Sequence, residues 1–97
     1  MVTVGVLARF DVKPGLEQDV AAFFKEGLPL VEAQPATTVW FAFRLTETMY
    51  GAFAAFANAQ DRDALLAAGG PQLSQKYARL FAQAPSFDMV DVLEARL

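Results

Sequence analysis

The chain of 97 residues contains neither cysteine nor histidine. Without cysteine it forms no disulfide, no thiolate metal site and no thiol nucleophile. Without histidine it lacks the usual serine triad, His-ligated zinc and a histidine-ligated haem iron. We therefore expect none of the metal or haem sites that depend on cysteine or histidine.

Positive charge and long apolar runs are also scarce. Eight Lys and Arg residues stand singly against eleven Asp and Glu, for a net charge of −3, so no basic patch predicts nucleic-acid binding. A membrane-spanning helix needs about 20 largely apolar residues. The longest uncharged run, residues 48–60, is interrupted by Gly51 and Asn58. The amino end lacks the pattern of a signal peptide, so we expect a cytoplasmic protein without a membrane partner.

Hydrophobic residues make up 55% of the chain, and their spacing predicts the elements of one domain, residues 1–97. From Val2 to Val12 the side chains alternate with the period of a strand. From Leu16 to Val31 apolar residues recur at three- and four-residue spacing, which predicts an amphipathic helix that ends before Pro35. Pro29 should kink this helix or start a weaker last turn. Strands at 39–44 and 49–56 follow, joined by the polar link 45–48. Asn58 is predicted to cap a helix that stops at Gly69-Gly70. A further helix opens at Pro71 and carries Leu73, Tyr77, Leu80 and Phe81. The last strand is predicted over Phe87 to Leu97.

This order, β-α-β-β-α-β, predicts a ferredoxin-like α+β fold with an antiparallel sheet. The two strands of the hairpin are apolar on both faces, with Arg44 as their one charge. A sheet of such strands must be covered on both sides, and the chain supplies helices for only one side. We therefore predict a homodimer that forms through the helix-free face of the sheet.

Two segments of the hairpin and the following helix, WFAFR at Trp40–Arg44 and FAAFANAQDR at Phe53–Arg62, resemble the antibiotic biosynthesis monooxygenase family. The resemblance covers nearly the whole chain, from Val2 to Leu93. It implies a small protein that forms a dimeric α/β barrel, in a family that includes quinol oxygenases and haem-degrading relatives.

One position departs from that family. Many members place a histidine a few residues into the helix after the hairpin, and this chain has Leu65 at the corresponding position. Leucine cannot ligate a haem iron, so the haem-degrading branch is disfavoured.

The resemblance also assigns a role to the single tryptophan, Trp40. In members that oxygenate aromatic substrates without a cofactor, a tryptophan on the equivalent strand lines the pocket. An indole provides a flat stacking surface and one N–H donor. The alternative is that Trp40 is ordinary sheet core or dimer interface.

We expect a pocket between the sheet and its own helices, because ligand sites are mostly apolar with few polar groups. The predicted lining residues are Trp40, Phe43, Met49, Phe53, Tyr77 and Phe81. Since neighbouring odd and even strand positions point to opposite faces, at most one of Trp40 and Phe43 faces the pocket, and we expect it to be Trp40.

Three polar side chains are candidates for acting on the substrate. Arg44 and Arg9 lie on apolar strands, where a guanidinium can hold a phenolate or quinone oxygen. Tyr50 can donate a hydrogen bond or act as a weak acid. The alternative for both arginines is a strand-end ion pair with Glu47, Asp11 or Glu94.

The family resemblance implies one function for these residues, and their chemistry leaves a second one open. The first is a cofactor-independent monooxygenase acting on a small aromatic, quinol or polyketide-type substrate, with Trp40, Arg44 and Tyr50 as its catalytic groups. The second is a non-catalytic dimer that uses the same pocket to hold a small apolar or aromatic ligand. The absence of histidine and of any evident strong base favours the second.

Overall fold

The computed structural model describes residues 1–97. Its four strands are β1 (Val4–Asp11), β2 (Val39–Arg44), β3 (Met49–Phe56) and β4 (Ser86–Asp91), in one sheet of order β2-β3-β1-β4. Its helices are α1 (Glu17–Glu32), α2 (Ala59–Ala67) and α3 (Gly70–Lys76), with a 3₁₀ turn at Ala78–Leu80. All strand pairs are antiparallel, which confirms the predicted ferredoxin-like fold. None of the helices is long and apolar enough to span a bilayer.

The register decides which side chains share a face of the sheet. Trp40 lies opposite Ala54, and Ala54 lies opposite Val6. Directly opposed residues point the same way, so even-numbered residues of β1, β2 and β3 share one face with the odd-numbered residues of β4. The helices pack on this face, called the covered face below. The other face, called the open face, leaves Phe41 59% exposed.

The core lies between the covered face and the helices, centred on Phe10. Its ring is 5.1 Å from that of Phe23 and 5.7 Å from that of Phe24, both on α1. The rings of Phe81 and Phe87 lie 5.7 and 6.3 Å away. The contacts with Phe23, Phe24 and Phe87 are edge-to-face, a geometry that stabilises aromatic clusters beyond their burial.

The predicted cap of α2 is confirmed. The Oδ1 atom of Asn58 accepts a hydrogen bond from the backbone N–H of Asp61 at 2.9 Å. A side chain engaged in this way satisfies one of the unpaired N–H groups of the first helical turn. α1 continues through Pro29 to Glu32, because the carbonyl oxygen of Pro29 still accepts from the N–H of Ala33 at 3.0 Å.

Two predicted boundaries differ from the structure. The last strand ends at Asp91 instead of Leu97, because its partner β1 begins at Val4, opposite Asp91. The helix predicted to open at Pro71 and to carry Phe81 ends at Lys76, and Phe81 is extended. The sheet draws this segment out of the helix: Val12 and Phe81 form a β-bridge, and the N–H of Ala82 donates to the carbonyl of Asp11 at 2.7 Å.

Candidate functional site

A narrow apolar cavity of about 90 Å³ lies between the covered face and the helices. Fourteen of its 17 lining residues are hydrophobic, and the other three are Gly27, Gly70 and Ser74. The lining therefore contains no charged side chain. Its polar side-chain groups are the hydroxyl of Ser74 and the indole N–H of Trp40.

Small residues in the strands make room for this cavity. Ala8 and Ala52 face each other across β1 and β3, and Ala54 follows on the same face. All three line the cavity, with Phe24 and Leu73 among the helix residues opposite. Larger side chains at these alanines would fill the space, so the alanine content of the strands creates the cavity.

Trp40 lines the cavity and is half-buried. It packs against both clusters of buried residues, one around Phe10 and the other around Phe56. Trp40 therefore lies on the covered face, and Phe43 lies on the open face. A stacking role for Trp40 stays a prediction.

The remaining predicted hairpin residues do not line the cavity. Phe43, Met49 and Phe53 are on the open face, because they are one or three positions from residues of the covered face. The ring of Phe43 lies over Gly51, where a Cβ atom would be only 2.6 Å from it. Any role of these three residues in binding a ligand requires a site on the other side of the sheet.

Arg44 and Tyr50 form a unit at the end of the hairpin. The Nε atom of Arg44 donates to the carbonyl of Thr46 at 3.0 Å, and Nη2 donates to the carbonyl of Glu47 at 2.8 Å. The guanidinium also lies 5.4 Å from the centroid of the Tyr50 ring, a cation–π distance. These contacts fix the turn, and they use backbone carbonyls rather than the carboxylate of Glu47.

Arg9 is on the open face, 55% exposed, with its Nε atom 3.8 Å from the carboxylate of Asp88. The partner of this ion pair is thus on the neighbouring strand β4. An exposed pair at this distance contributes little to stability, so the guanidinium stays accessible.

The last two predicted residues, Tyr77 and Phe81, lie beside the cavity rather than in its lining. Phe81 is 5% exposed and packs on Phe23, with ring centroids 5.4 Å apart. The hydroxyl of Tyr77 donates to Oε1 of Glu26 at 3.2 Å.

Glu26 also joins α1 to α3 through an ion pair. Its carboxylate lies 2.9 Å from Nζ of Lys76, and the hydrogen bond to this ammonium lowers the pKa of Glu26. The same contact raises the pKa of Lys76. Gly27 of α1 and Leu73 of α3 lie near this ion pair and line the cavity, so the pair links the two helices that form this part of its wall.

Sequence reasoning missed Ser74 and Phe87, which both line the cavity. Ser74 is 6% exposed, and its hydroxyl donates to the carbonyl of Gly70 at 3.2 Å. A small polar residue one position from Leu73 and three from Tyr77, on the apolar side of the predicted helix, was the available signal. For Phe87 the available signal was its place in the predicted last strand, where it is an apolar residue on the same strand face as Met89.

No protein-family model matches the chain, and no curated protein matches it. Its structure superposes on the NE2512 protein of unknown function from Nitrosomonas europaea with a TM-score of 0.90. The two sequences are 34% identical over 100% of this chain and 95% of the other.

Structures of oxygenase type share the fold at lower identity. A candidate antibiotic biosynthesis monooxygenase from Caulobacter crescentus superposes with a TM-score of 0.75 at 24% identity, covering 96% of this chain and 92% of that one. SnoaB, a cofactor-independent oxygenase from Streptomyces nogalater, superposes with a TM-score of 0.72 at 16% identity, covering 96% and 95%. The chain therefore belongs to one family with the NE2512 protein, and its fold is that of the antibiotic biosynthesis monooxygenase structures, as the resemblance predicted.

Proposed function

We propose that this protein binds a small aromatic molecule in the cavity beside Trp40 and acts as a cofactor-independent monooxygenase. The observation that carries the proposal is an apolar cavity with an indole in its wall. It occurs in a fold shared with a cofactor-independent oxygenase.

The proposed reaction balances without an added reductant. A phenol-type ring reacts with dioxygen at a ring carbon to give a hydroperoxide. Loss of water then leaves a quinone, so one oxygen atom is retained as a carbonyl and the other departs in water. The C–H and O–H bonds of the substrate supply all the electrons, and their protons leave in the water formed.

The size of the cavity restricts the substrate. Sites for drug-sized ligands enclose roughly 300–1,000 Å³, whereas an engineered apolar cavity of about 150 Å³ binds benzene. At about 90 Å³, the cavity accommodates at most a single ring without movement of its walls. A polycyclic substrate would have to extend beyond it.

A non-catalytic binding protein is the second candidate. It is favoured by the absence of charged and acid-base side chains from the cavity lining, because a phenol that reacts with dioxygen must first lose its proton. Arg44 and Arg9 do not reach this lining, since one holds the hairpin turn and the other lies on the open face.

We also propose that the open face joins two copies of the chain. Its apolar side chains include Phe41, Phe43, Phe53 and Leu7, and the largest exposure among these is that of Phe41 at 59%. Contiguous apolar surface of this kind marks interaction sites, and obligate dimer interfaces are large and hydrophobic. A second copy would bury it.

Oxygen consumption tests the two functions against each other. The purified protein is supplied with a panel of phenols and hydroquinones, without flavin and after removal of metals. Uptake of dioxygen that Trp40→Phe lowers about tenfold supports the monooxygenase, since tenfold corresponds to about 1.4 kcal/mol of transition-state stabilisation.

Phe43→Leu is the matched control, because Phe43 lies on the same strand and the opposite face. A rate unaffected by Trp40→Phe but abolished by Phe43→Leu contradicts the assignment of the site. If no phenol is consumed but toluene shifts the indole N–H resonance of Trp40, the binding function is the correct one. With neither result, both functions fail.

A further inference from the structure

A wider groove of about 430 Å³ lies next to the cavity, between α3 and the segment 81–87 that leads into β4. Pro71 and Gln75 of α3 form one side of it. Phe81, Gln83 and Pro85 form the other.

The groove and the cavity share two lining residues, Ser74 and Phe87. Ser74 is on α3 and Phe87 is on β4, so the two side chains come from opposite sides of the same passage. They form the partition that separates the narrow space from the wide one.

We propose that the cavity and the groove are two halves of one ligand site, with Phe87 as the movable partition. The ligand is a neutral, elongated molecule with an aromatic ring for the cavity and a hydrogen-bonding group, such as a carboxamide, for the groove. This inference rests on the proposed binding of an aromatic molecule beside Trp40, and it defines the class of that molecule.

The linings determine the charge of the ligand. Neither the 17 residues of the cavity nor the nine of the groove include a charged side chain. A negative charge adjoins the groove lining, because Nε2 of Gln83 donates to the carboxylate of Asp11 at 3.0 Å. An anion would lose its hydration and gain no cation in return, which is costly.

The hydrogen-bonding groups of the two linings determine the polar end of the ligand. The Ser74 hydroxyl donates to the carbonyl of Gly70 at 3.2 Å, and its oxygen retains acceptor capacity. Two amide side chains, Gln75 and Gln83, lie in the groove. A ligand amide, which both donates and accepts, complements these groups better than a carboxylate does.

The volumes of the cavity and the groove determine the length of the ligand. The cavity alone holds at most one ring, and the groove adds a larger space directly beside it. Joined, they fall within the range of about 300–1,000 Å³ typical of ligand sites. We assign the movable part of the partition to Phe87, since it is half-buried on the edge strand β4 and makes the longest of the four ring contacts of Phe10.

Two isosteric probes test the charge and length of the ligand, naphthalene-2-carboxamide and naphthalene-2-carboxylate. Binding is followed by NMR through the indole N–H of Trp40, the only tryptophan, and through the side-chain amides of Gln75 and Gln83. We expect the carboxamide to shift all three signals and to bind at least about tenfold more tightly than the carboxylate. Equal affinities, or a shift of the indole signal alone, would overturn the extended site.

Variants at Phe87 and Ser74 test the partition and the polar end of the site, with Met89 as a control. Phe87→Ala should raise the association rate of the carboxamide about fivefold or more, whereas Met89→Ala, two residues along the same strand and outside both linings, should not. Ser74→Ala should weaken the carboxamide about fivefold and leave toluene unaffected. If Phe87→Ala does not fold, Phe87→Leu should show the same direction.

An unchanged association rate in the folded Phe87 variant contradicts the role of the partition. Toluene separates this failure from that of the proposed function. If toluene shifts the indole signal while the carboxamide leaves the glutamines unchanged, the extended site is wrong and the aromatic cavity stands. If toluene does not shift the indole signal, the cavity itself is not a binding site.

Discussion

The two faces of the sheet are made from the same four strands, but their large and small residues are arranged differently. On the covered face, alanines such as Ala52 lie under the helices and large rings gather around Phe10. On the open face, the rings of Phe43 and Phe53 lie over Gly51 and Gly5. The first arrangement leaves an internal space, and the second makes a flat aromatic surface.

This difference separates two kinds of aromatic residue. A ring of the covered face is surrounded by its own chain, so its removal destabilises the monomer. A ring of the open face meets solvent in the single chain, so its contribution depends on what covers that face. Changes on the two faces should therefore differ in kind, as the following experiments measure.

The largest effect is expected for Phe10→Ala. Phe10 is 4% exposed and touches four other rings, so its removal should cost about 3–5 kcal/mol of unfolding free energy. Urea unfolding at several protein concentrations measures it. Phe41→Ala should lose stability only in proportion to dimer formation, so its effect should depend on concentration. Equal, concentration-independent losses at both sites would erase the distinction between the faces.

The next effect concerns assembly. Phe41→Glu should raise the dimer dissociation constant at least about a hundredfold, because it places an unpaired carboxylate in an apolar interface. Sedimentation velocity compares it with wild type and with Leu28→Glu, which alters a 44% exposed leucine on α1 instead. Wild-type protein that sediments as a monomer at micromolar concentration would show that the open face is not an interface between copies.

A smaller effect should distinguish the two glycines under the rings. A Cβ at Gly5 would lie 2.7 Å from the carbonyl oxygen of Ala54, which is fixed in the sheet. Gly5→Ala should therefore cost about 1–3 kcal/mol. At Gly51 the clash is mainly with the ring of Phe43, which can rotate, so Gly51→Ala should cost less.

A double-mutant cycle sharpens this comparison. If the ring causes the cost at Gly51, the cost should disappear when Gly51→Ala is combined with Phe43→Ala, as thermal unfolding would report. A cost that persists without the ring would place the obstacle at the backbone oxygen of Ala8, which lies 3.1 Å from where the added methyl group would stand.

The smallest effect belongs to the exposed ion pair that fastens α1 to α3. Its contribution is lost as pH falls through the lowered pKa of Glu26, and as pH rises through the raised pKa of Lys76. Between the ordinary values of 4.5 and 10.5, the contribution is fully present. Lys76→Met should therefore lower the urea midpoint slightly at pH 7 and by less at pH 3. An equal decrease at both pH values, or one unaffected by high salt, would attribute the effect to packing.

The elements of the chain were predictable from local information. Alternation at Val39 to Arg44, helical spacing from Leu16, and the side chain of Asn58 all act over a few residues, and the structure confirms the strands, the helix and the cap. The parity of Trp40 and Phe43 also placed them on opposite faces. A period of two residues is a property of the strand itself and needs no tertiary information.

The candidate site was only partly predictable, because its other members come from distant parts of the chain. Tyr50 and Trp40 have the same parity, but Tyr50 lies at the hairpin end beside Arg44, outside the cavity lining. Ser74 and Phe87 share a wall because α3 and β4 pack side by side, and sequence separation conceals this contact.

By itself, then, the sequence determined the strands, the helices, their order and the apolar character of both sheet faces. Those features depend on periodicity, capping and side-chain chemistry within short segments. Only the tertiary structure decided which face the helices cover, where Tyr77 to Ala82 leave the helix to join the sheet, and which side chains line the cavity. The physical reason is that these depend on the packing of residues far apart in the chain, where volumes and hydrogen bonds from several elements must be satisfied together.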